Sequence, residues 1–357
     1  MSRILADLLI WTSLGLPAGT PDLVVVPIEG QITSVTGIPC TDYLIVAART
    51  QSQAGKLHVV DFRTARVIRT LGGHKAPVVA VAATKSSEIN LVSVSDDRIV
   101  NAWASRNFSL VSTPKIGRLP SSVSMSQDGK LAVITDDDDS VLLLDPKTGK
   151  RLSKIKLNDG VPLNAVFSPD GSTLAVTDIR GRILLSDLTR RGDPIELTTG
   201  SLIGQVIYSS TGKMLVISCS APYADFVSPN GPMGWRALLE SSKNLVKQSD
   251  RVLVWDAGSK NLSCEWKYFE GAKITCMDVS PDEKAVAVVV YSSLIDFEKS
   301  DPSKLKMQVY LSDIDSTNTP KLVYESQTQI RGVVFSRDGR HLAIAKENKL
   351  CIIQVRR

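Results

Sequence analysis

Short apolar strands separated by turn residues fill most of the chain. One pattern returns: an apolar residue, a variable residue, a bulky apolar residue, Ser, then a turn with Asp-Gly or a substitute. It reads VSMSQDGKLAV at 123–133, AVFSPDGSTLAV at 165–176, VIYSSTGKMLV at 206–216, MDVSPDEKAVAV at 277–288 and VVFSRDGRHLAI at 333–344. Weaker copies are VTGIPCTDYLIV at 35–46 and VAATKSSEINLV at 81–92. Each copy predicts a hairpin, because alternating apolar residues suit a pleated strand and Asp-Gly suits the turn. A third strand follows each hairpin, as in LHVVD (57–61), IVNAW (99–103), VLLLD (141–145), ILLSD (183–187), VLVWD (252–256), QVYLSD (308–313) and CIIQV (351–355). A more polar fourth strand comes next, as in RLSKIKL (151–157) and LSCEWKYF (262–269). Four short strands per unit of about 42 residues is the signature of a propeller blade. A βαβ unit would need a helical period between strands, and none is present.

The residue before the Ser position serves as a ruler: Gly37, Ala83, Met125, Phe167, Tyr208, Val279 and Phe335. Successive separations are 46, 42, 42, 41, 71 and 56 residues. The first four are one blade each; the last two are one blade plus about 29 and about 14 extra residues. The prediction is all-β: seven blades, with helical or loop insertions at 221–250 in blade five and 292–305 in blade six. A length of 357 residues would by itself suggest about two domains. The repeat instead predicts one ring over 22–357.

The seventh blade runs out of chain after its third strand. Residues 22–28, within DLVVVPIEG, look like the missing fourth strand. The expected ring is therefore closed by strand exchange between the two ends, which hides an edge that would invite aggregation. Residues 1–21 are left as an N-terminal arm. Their apolar stretch is interrupted by Asp7 and diluted by Thr12 and Ser13. That argues against a signal peptide, and against a membrane span of about 20 apolar residues.

Composition adds limits. A hydrophobic fraction of 43% and a charged fraction of 22% fit a globular chain with a large core. The net charge of +5 is too dilute to mark a nucleic-acid binder without a clustered patch. Five scattered cysteines (Cys40, Cys219, Cys264, Cys276, Cys351) form no CxxC pair. They read as reduced thiols of a cytoplasmic or nuclear protein. Three histidines (His58, His74, His341) leave little for a His-rich metal site.

The pattern resembles the WD40-repeat family from about residue 22 to 357. In that family a blade runs from Gly-His, through an Asp between the second and third strands, to a closing Trp-Asp. Blade two comes nearest, with Gly73-His74, Asp97 and Trp103, although Ala104 replaces the last Asp. The resemblance implies a structural hydrogen-bond chain of His74, Asp97, Trp103 and a strand hydroxyl from Ser93 or Ser95. Trp255-Asp256 is the literal Trp-Asp of blade five, also read as structural. Most blades lack the Trp, in keeping with an aromatic content of 5%.

Catalytic signatures are missing: there is no GxxxxGK[ST], no GxGxxG and no GxSxG. The expectation is a non-enzyme without cofactor or metal. The run Asp136 to Asp139 reads as a solvated turn between strands, because Asp favours turns and EF-hand spacing is absent. Arginines 63, 66, 69, 180, 182, 190 and 191 are dispersed, so phosphate contact with nucleic acid is open but unsupported.

The two insertions carry the functional expectation. Both fall between the second and third strands of neighbouring blades, so both emerge on one face. Long loops in compact domains are often functional. Trp235, Leu238, Leu239, Leu245 and Val246 approximate a helical stripe after the break at Asn230-Gly231-Pro232, and Tyr223, Phe226 and Phe297 add aromatics. These read either as a cap on the ring or as anchors for another protein. The expected function is a protein–protein interaction scaffold, monomeric by itself within a hetero-complex and without membrane insertion. The alternatives are a ubiquitin-ligase substrate receptor, for which Trp103-Ala104-Ser105-Arg106 is a partial box, a small-GTPase exchange-factor propeller of the secretory pathway, and a ribonucleoprotein scaffold.

Overall fold

The computed structural model describes residues 23–355 apart from 87, 137–139, 158–159, 191, 200, 221–249, 268–271, 293–305 and 315–318. Seven four-stranded antiparallel sheets account for all twenty-eight strands among the described residues. Blade one holds β2 (Gln31–Gly37), β3 (Tyr43–Arg49), β4 (Gly55–Asp61) and β5 (Arg66–His74). Blade two holds β6 (Val78–Ala83), β7 (Ile89–Ser95), β8 (Val100–Ala104) and β9 (Leu110–Ser112). Blade three holds β10 (Pro120–Met125), β11 (Ala132–Asp136), β12 (Ser140–Leu144) and β13 (Arg151–Lys156). Blade four holds β14 (Pro162–Phe167), β15 (Thr173–Asp178), β16 (Arg182–Asp187) and β17 (Ile195–Thr198). Blade five holds β18 (Leu202–Tyr208), β19 (Met214–Ser220), β20 (Arg251–Asp256) and β21 (Leu262–Trp266). Blade six holds β22 (Ala272–Val279), β23 (Ala285–Ser292), β24 (Met307–Asp313) and β25 (Lys321–Ser326). Blade seven holds β26 (Ile330–Phe335), β27 (His341–Lys346) and β28 (Lys349–Gln354), completed by β1 (Leu23–Pro27).

The ring closes as the sequence predicts. β1 pairs antiparallel with β28, from Leu23 opposite Ile353 to Pro27 opposite Lys349. Alternate residues of this strand serve two seams: Leu23 and Val25 pack toward blade six, while Val26 packs with blade one. The first strands of successive blades touch one another around the whole circle, so they surround the axis.

The core is seven seams instead of one centre. Each apolar cluster joins two neighbouring blades, for example Leu57, Val59, Val78, Leu91 and Trp103 between blades one and two. Another joins Val133, Leu143, Phe167 and Leu174 between blades three and four. A blade buries both faces of its sheet, and its second strand reads as a near-continuous apolar run, such as AVAVVV in β23.

The Ser-x-Asp-Gly turns show why that motif repeats. In blade three the Ser126 hydroxyl donates to Asp128 at 2.7 Å and accepts the Leu131 N–H at 2.9 Å. Ser336 and Asp338 repeat the arrangement in blade seven. The following residue is left-handed, with φ of 72° at Gly129, which favours glycine. In blade six Glu283 takes this position at φ 59°. Its carboxylate accepts from Ser210 and Thr211 of blade five, so the strained residue ties two blades together.

Candidate functional site

The turns between second and third strands, together with the links between blades, open on one face. Both insertions leave and rejoin the ring there: β19 ends at Ser220 and β20 begins at Arg251, while β23 ends at Ser292 and β24 begins at Met307. The anchors expected from sequence (Tyr223, Phe226, Trp235, Leu238, Leu239, Leu245 and Phe297) lie outside the described residues, as do Asp137 to Asp139.

On this face blade two holds a buried relay. His74 Nε2 lies 2.8 Å from Ser93 Oγ, and Trp103 Nε1 donates to the same oxygen at 3.2 Å. Nδ1 lies 3.2 Å from Asp97 Oδ2, which also accepts the Lys75 N–H at 2.8 Å. This pattern assigns the Nδ1–H tautomer, with the Ser93 hydroxyl donating to Nε2. Burial lowers the His74 pKa, and the Asp97 carboxylate opposes that shift only in part. The hydroxyl is thus Ser93; Ser95 instead donates to Ala76 O at 3.0 Å. Every donor and acceptor is spent on a neighbour, so the cluster ties strands together and offers no free nucleophile or base.

Blade four solves the same corner with an ion pair that the sequence did not flag. Asp178 is fully buried and receives Arg182 Nε and Nη2, both at 2.7 Å. The N–H groups of Arg180 and Arg182 donate to its other oxygen at 2.9 and 3.0 Å. The preceding link passes directly over the pair at Gly160, where a Cβ would stand 2.4 Å from Asp178 Oδ2. An Asp ending a second strand with Arg four residues on is the signal that could have found it.

In blade five the letters Trp-Asp survive without the relay. Trp255 stands in the ladder position of Trp103, but Ile217 occupies the place of Ser93, and the buried Trp255 Nε1 has no partner among the described residues. Asp256 caps its own turn by accepting the Ser259 N–H at 2.6 Å, and hydrogen bonds to Ser259 hold its pKa below the ordinary value. Arg251 pairs with Glu265 at 2.7 Å instead.

The inner wall also carries titratable groups. Asp278 on β22 accepts the Phe335 N–H of blade seven at 2.8 Å. Desolvation pushes its pKa up to about 7. Its partner is a backbone amide across a seam, which makes it a structural tie like Ser124, which accepts from Phe167 N of the next blade at 3.4 Å. Burial also raises the thiols of Cys219 and Cys276, to about 11 and about 12. Such thiols are poor nucleophiles at neutral pH. Among the described residues, no three His, Cys, Asp or Glu are placed to hold a metal ion, and no helix is long and apolar enough to cross a membrane.

The family described as "WD domain, G-beta repeat" matches residues 65–104, the segment that holds the whole blade-two relay. The chain is similar to Autophagy-related protein 16 of Arabidopsis thaliana, at 25% identity over 60% of this chain and 40% of that protein. It is also similar to Protein NEDD1 of Mus musculus, at 32% identity over 35% of this chain and 19% of that protein. The matches thus span less than half the length of either relative. Among solved structures it resembles the β-propeller domain of Myceliophteria thermophila Cps50 (Swd1). The TM-score is 0.70 at 13% identity, covering 95% of this chain and 100% of that one, a likeness of fold. With seven four-stranded blades closed into a ring, the chain has the seven-bladed β-propeller fold, and its second blade carries a WD40 repeat.

Proposed function

We propose that the chain is a non-catalytic protein-interaction scaffold that works through the insertion-bearing face of its propeller. One observation carries the reading: the two largest departures from the repeat interrupt the same kind of turn in adjacent blades, between β19 and β20 and between β23 and β24. A ring closed by β1 presents such a surface with little ordering cost on binding. Aromatic and leucine anchors in the insertions, led by Trp235 and Leu239, fit the composition of interface hot spots. The unpaired cysteines among the described residues suit the reducing cytoplasm or nucleus. On this reading the chain joins a hetero-complex as a single copy.

The test is quantitative affinity purification of the full chain beside Trp235→Ala with Leu239→Ala, and beside Arg337→Glu with Arg340→Glu on the opposite face. Recovery of native partners should fall on the order of tenfold in the first variant and hold in the second. An unchanged partner set in the first variant, with the melting temperature preserved, rejects the reading.

A further inference from the structure

The positive charge of the chain is concentrated in one stretch. Residues 63–118 hold nine Lys and Arg against three acids, Glu88, Asp96 and Asp97, a net of +6, while the whole chain carries +5. The rest of the chain is therefore close to neutral. Of the three acids, Asp97 is spent in the blade-two relay, and Glu88 pairs with Lys147 at 2.8 Å. Asp96 alone is exposed and without an ion pair among the described residues.

Three of the cations stand on the insertion-bearing face, one on each connection of blade two: Lys75 on the incoming link, Arg98 in the turn between β7 and β8, and Lys115 on the outgoing link. Backbone bonds draw these connections into one corner. The Lys75 N–H donates to Asp97 at 2.8 Å. The Asp96 N–H donates to Pro77 O at 3.1 Å, and the Ile116 N–H to Arg98 O at 2.8 Å. Lys115 itself bridges to Ile99. Arg151 of blade three donates from Nη2 to Lys115 O at 2.9 Å, which adds a fourth cation beside the third. All four residues are exposed, and among the described residues none of them forms an ion pair. Arg98 also holds a left-handed φ of 61°, where the equivalent turn of blade four has Gly181 at 74°. Glycine takes that conformation without strain, so a strained arginine there points to a role for its side chain.

The N–H groups of Lys75, Arg98, Ile99 and Ile116 already have acceptors, so the corner has no nest of free amides for a phosphate. It offers instead a strip of long cationic side chains laid across a whole blade, which complements a run of carboxylates better than one compact dianion. We infer that this strip docks an acidic segment of a partner protein, with successive carboxylates against Lys75, Arg98 and Lys115. The chain has an acidic run of its own in the next turn, Asp136 to Asp139. Asp136 already has a partner, and Asp137 to Asp139 lie outside the described residues. Blade two stands across the ring from blades five and six. The strip thus shares no residue with the insertion surface proposed above, and each stands or falls by itself.

The experiment is calorimetric titration of the full chain with the peptide Gly-Ser-Glu-Glu-Glu-Glu-Ser-Gly, its all-Gln counterpart and a Gly-Ser peptide bearing one phosphoserine. The glutamate peptide should bind saturably and more weakly as salt rises. Lys75→Gln with Arg98→Gln should weaken it on the order of tenfold, and Lys115→Gln by a smaller factor. Arg98→Gly should weaken binding about threefold without lowering the melting temperature, because glycine accepts the left-handed turn. Arg337→Gln with Arg340→Gln removes as much charge from the opposite face and should change nothing, as should Trp235→Ala with Leu239→Ala. Equal binding of the Glu and Gln peptides overturns the inference, as does an equal loss in the Arg337/Arg340 control. Binding of the phosphoserine peptide without the glutamate peptide overturns it in favour of a phosphate reader. Binding that emerges only after Asp137, Asp138 and Asp139 are changed to Asn also overturns it, since the chain's own acidic turn would then occupy the strip. Loss in the Trp235/Leu239 variant would transfer the site to the insertions.

Discussion

Blades two and four occupy equivalent places in the ring and tie the same corner, where the incoming link meets the second and third strands. Blade two does so with a relay in which a hydroxyl, a neutral imidazole, an indole and a carboxylate satisfy one another. Blade four uses a buried carboxylate clasped by one guanidinium. The corner buries backbone and side-chain polar groups and so needs a satisfied network; the chemistry of that network is free to vary. This is why a propeller can lose most of its repeat letters and keep its shape. Blade five shows the converse, since it retains Trp255-Asp256 while Arg251 and Glu265 make its tie.

The two solutions should fail differently. Removing the guanidinium strips a fully buried carboxylate of its cationic partner and leaves it only backbone donors, whereas removing the neutral imidazole of His74 takes no counter-charge from Asp97, which keeps the Lys75 and Ile99 N–H groups. Arg182→Ala should therefore cost about 3 kcal/mol in denaturant unfolding. Arg190→Ala, on an exposed turn of the same blade, should stay within about 0.5 kcal/mol. A cost for Arg182→Ala below about 1 kcal/mol would show that the ion pair is not what holds the corner of blade four.

Acid should separate the blades next. The folded-state pKa of His74 lies below its ordinary 6.5, chiefly because burial penalises the cation. The folded protein then binds fewer protons than the unfolded chain in that window, so stability from this group is full above 6.5 and is lost as pH falls toward the folded value. Protonation also turns Nε2 into a donor facing a hydroxyl that already accepts from Trp103. Blade four's tie contains no histidine. Amide-exchange protection should fall in blade two before blade four as pH drops from 7 to 5, and His74→Gln should flatten the difference. Equal loss in both blades would show that His74 is not the titrating element.

The architecture was legible because it is written in periodic, local signals: the Ser-x-Asp-Gly turn, the 42-residue spacing and the orphan strand at 22–28. The blade-two relay was legible only through the resemblance to the WD40 family, which implied the bonding of His74, Asp97 and Trp103 and left the hydroxyl open between Ser93 and Ser95. Arg182 with Asp178 was hidden, because an Asp followed by Arg four residues on is common in any turn and only burial makes it a tie. The insertions remain the reverse case, a functional expectation read from sequence alone.

The finest test of the comparison lies in blade five, where the letters and the network have come apart. Ile217 is fully buried, so Ile217→Ala should cost about 2–5 kcal/mol through lost burial and a cavity. A serine there would ordinarily be worse than alanine, because its hydroxyl would be buried without a partner. Here it would stand where Ser93 stands in blade two, within the ladder register that presents Trp255 as Trp103 is presented. The Trp255 N–H, without a partner among the described residues, would gain an acceptor, and Ile217→Ser should prove more stable than Ile217→Ala by about 1 kcal/mol. In a Trp255→Phe background that advantage should vanish or change sign. If serine is the worse substitution with Trp255 present, the indole and the strand hydroxyl do not form a transferable unit, and the relay depends on His74 to bring them together.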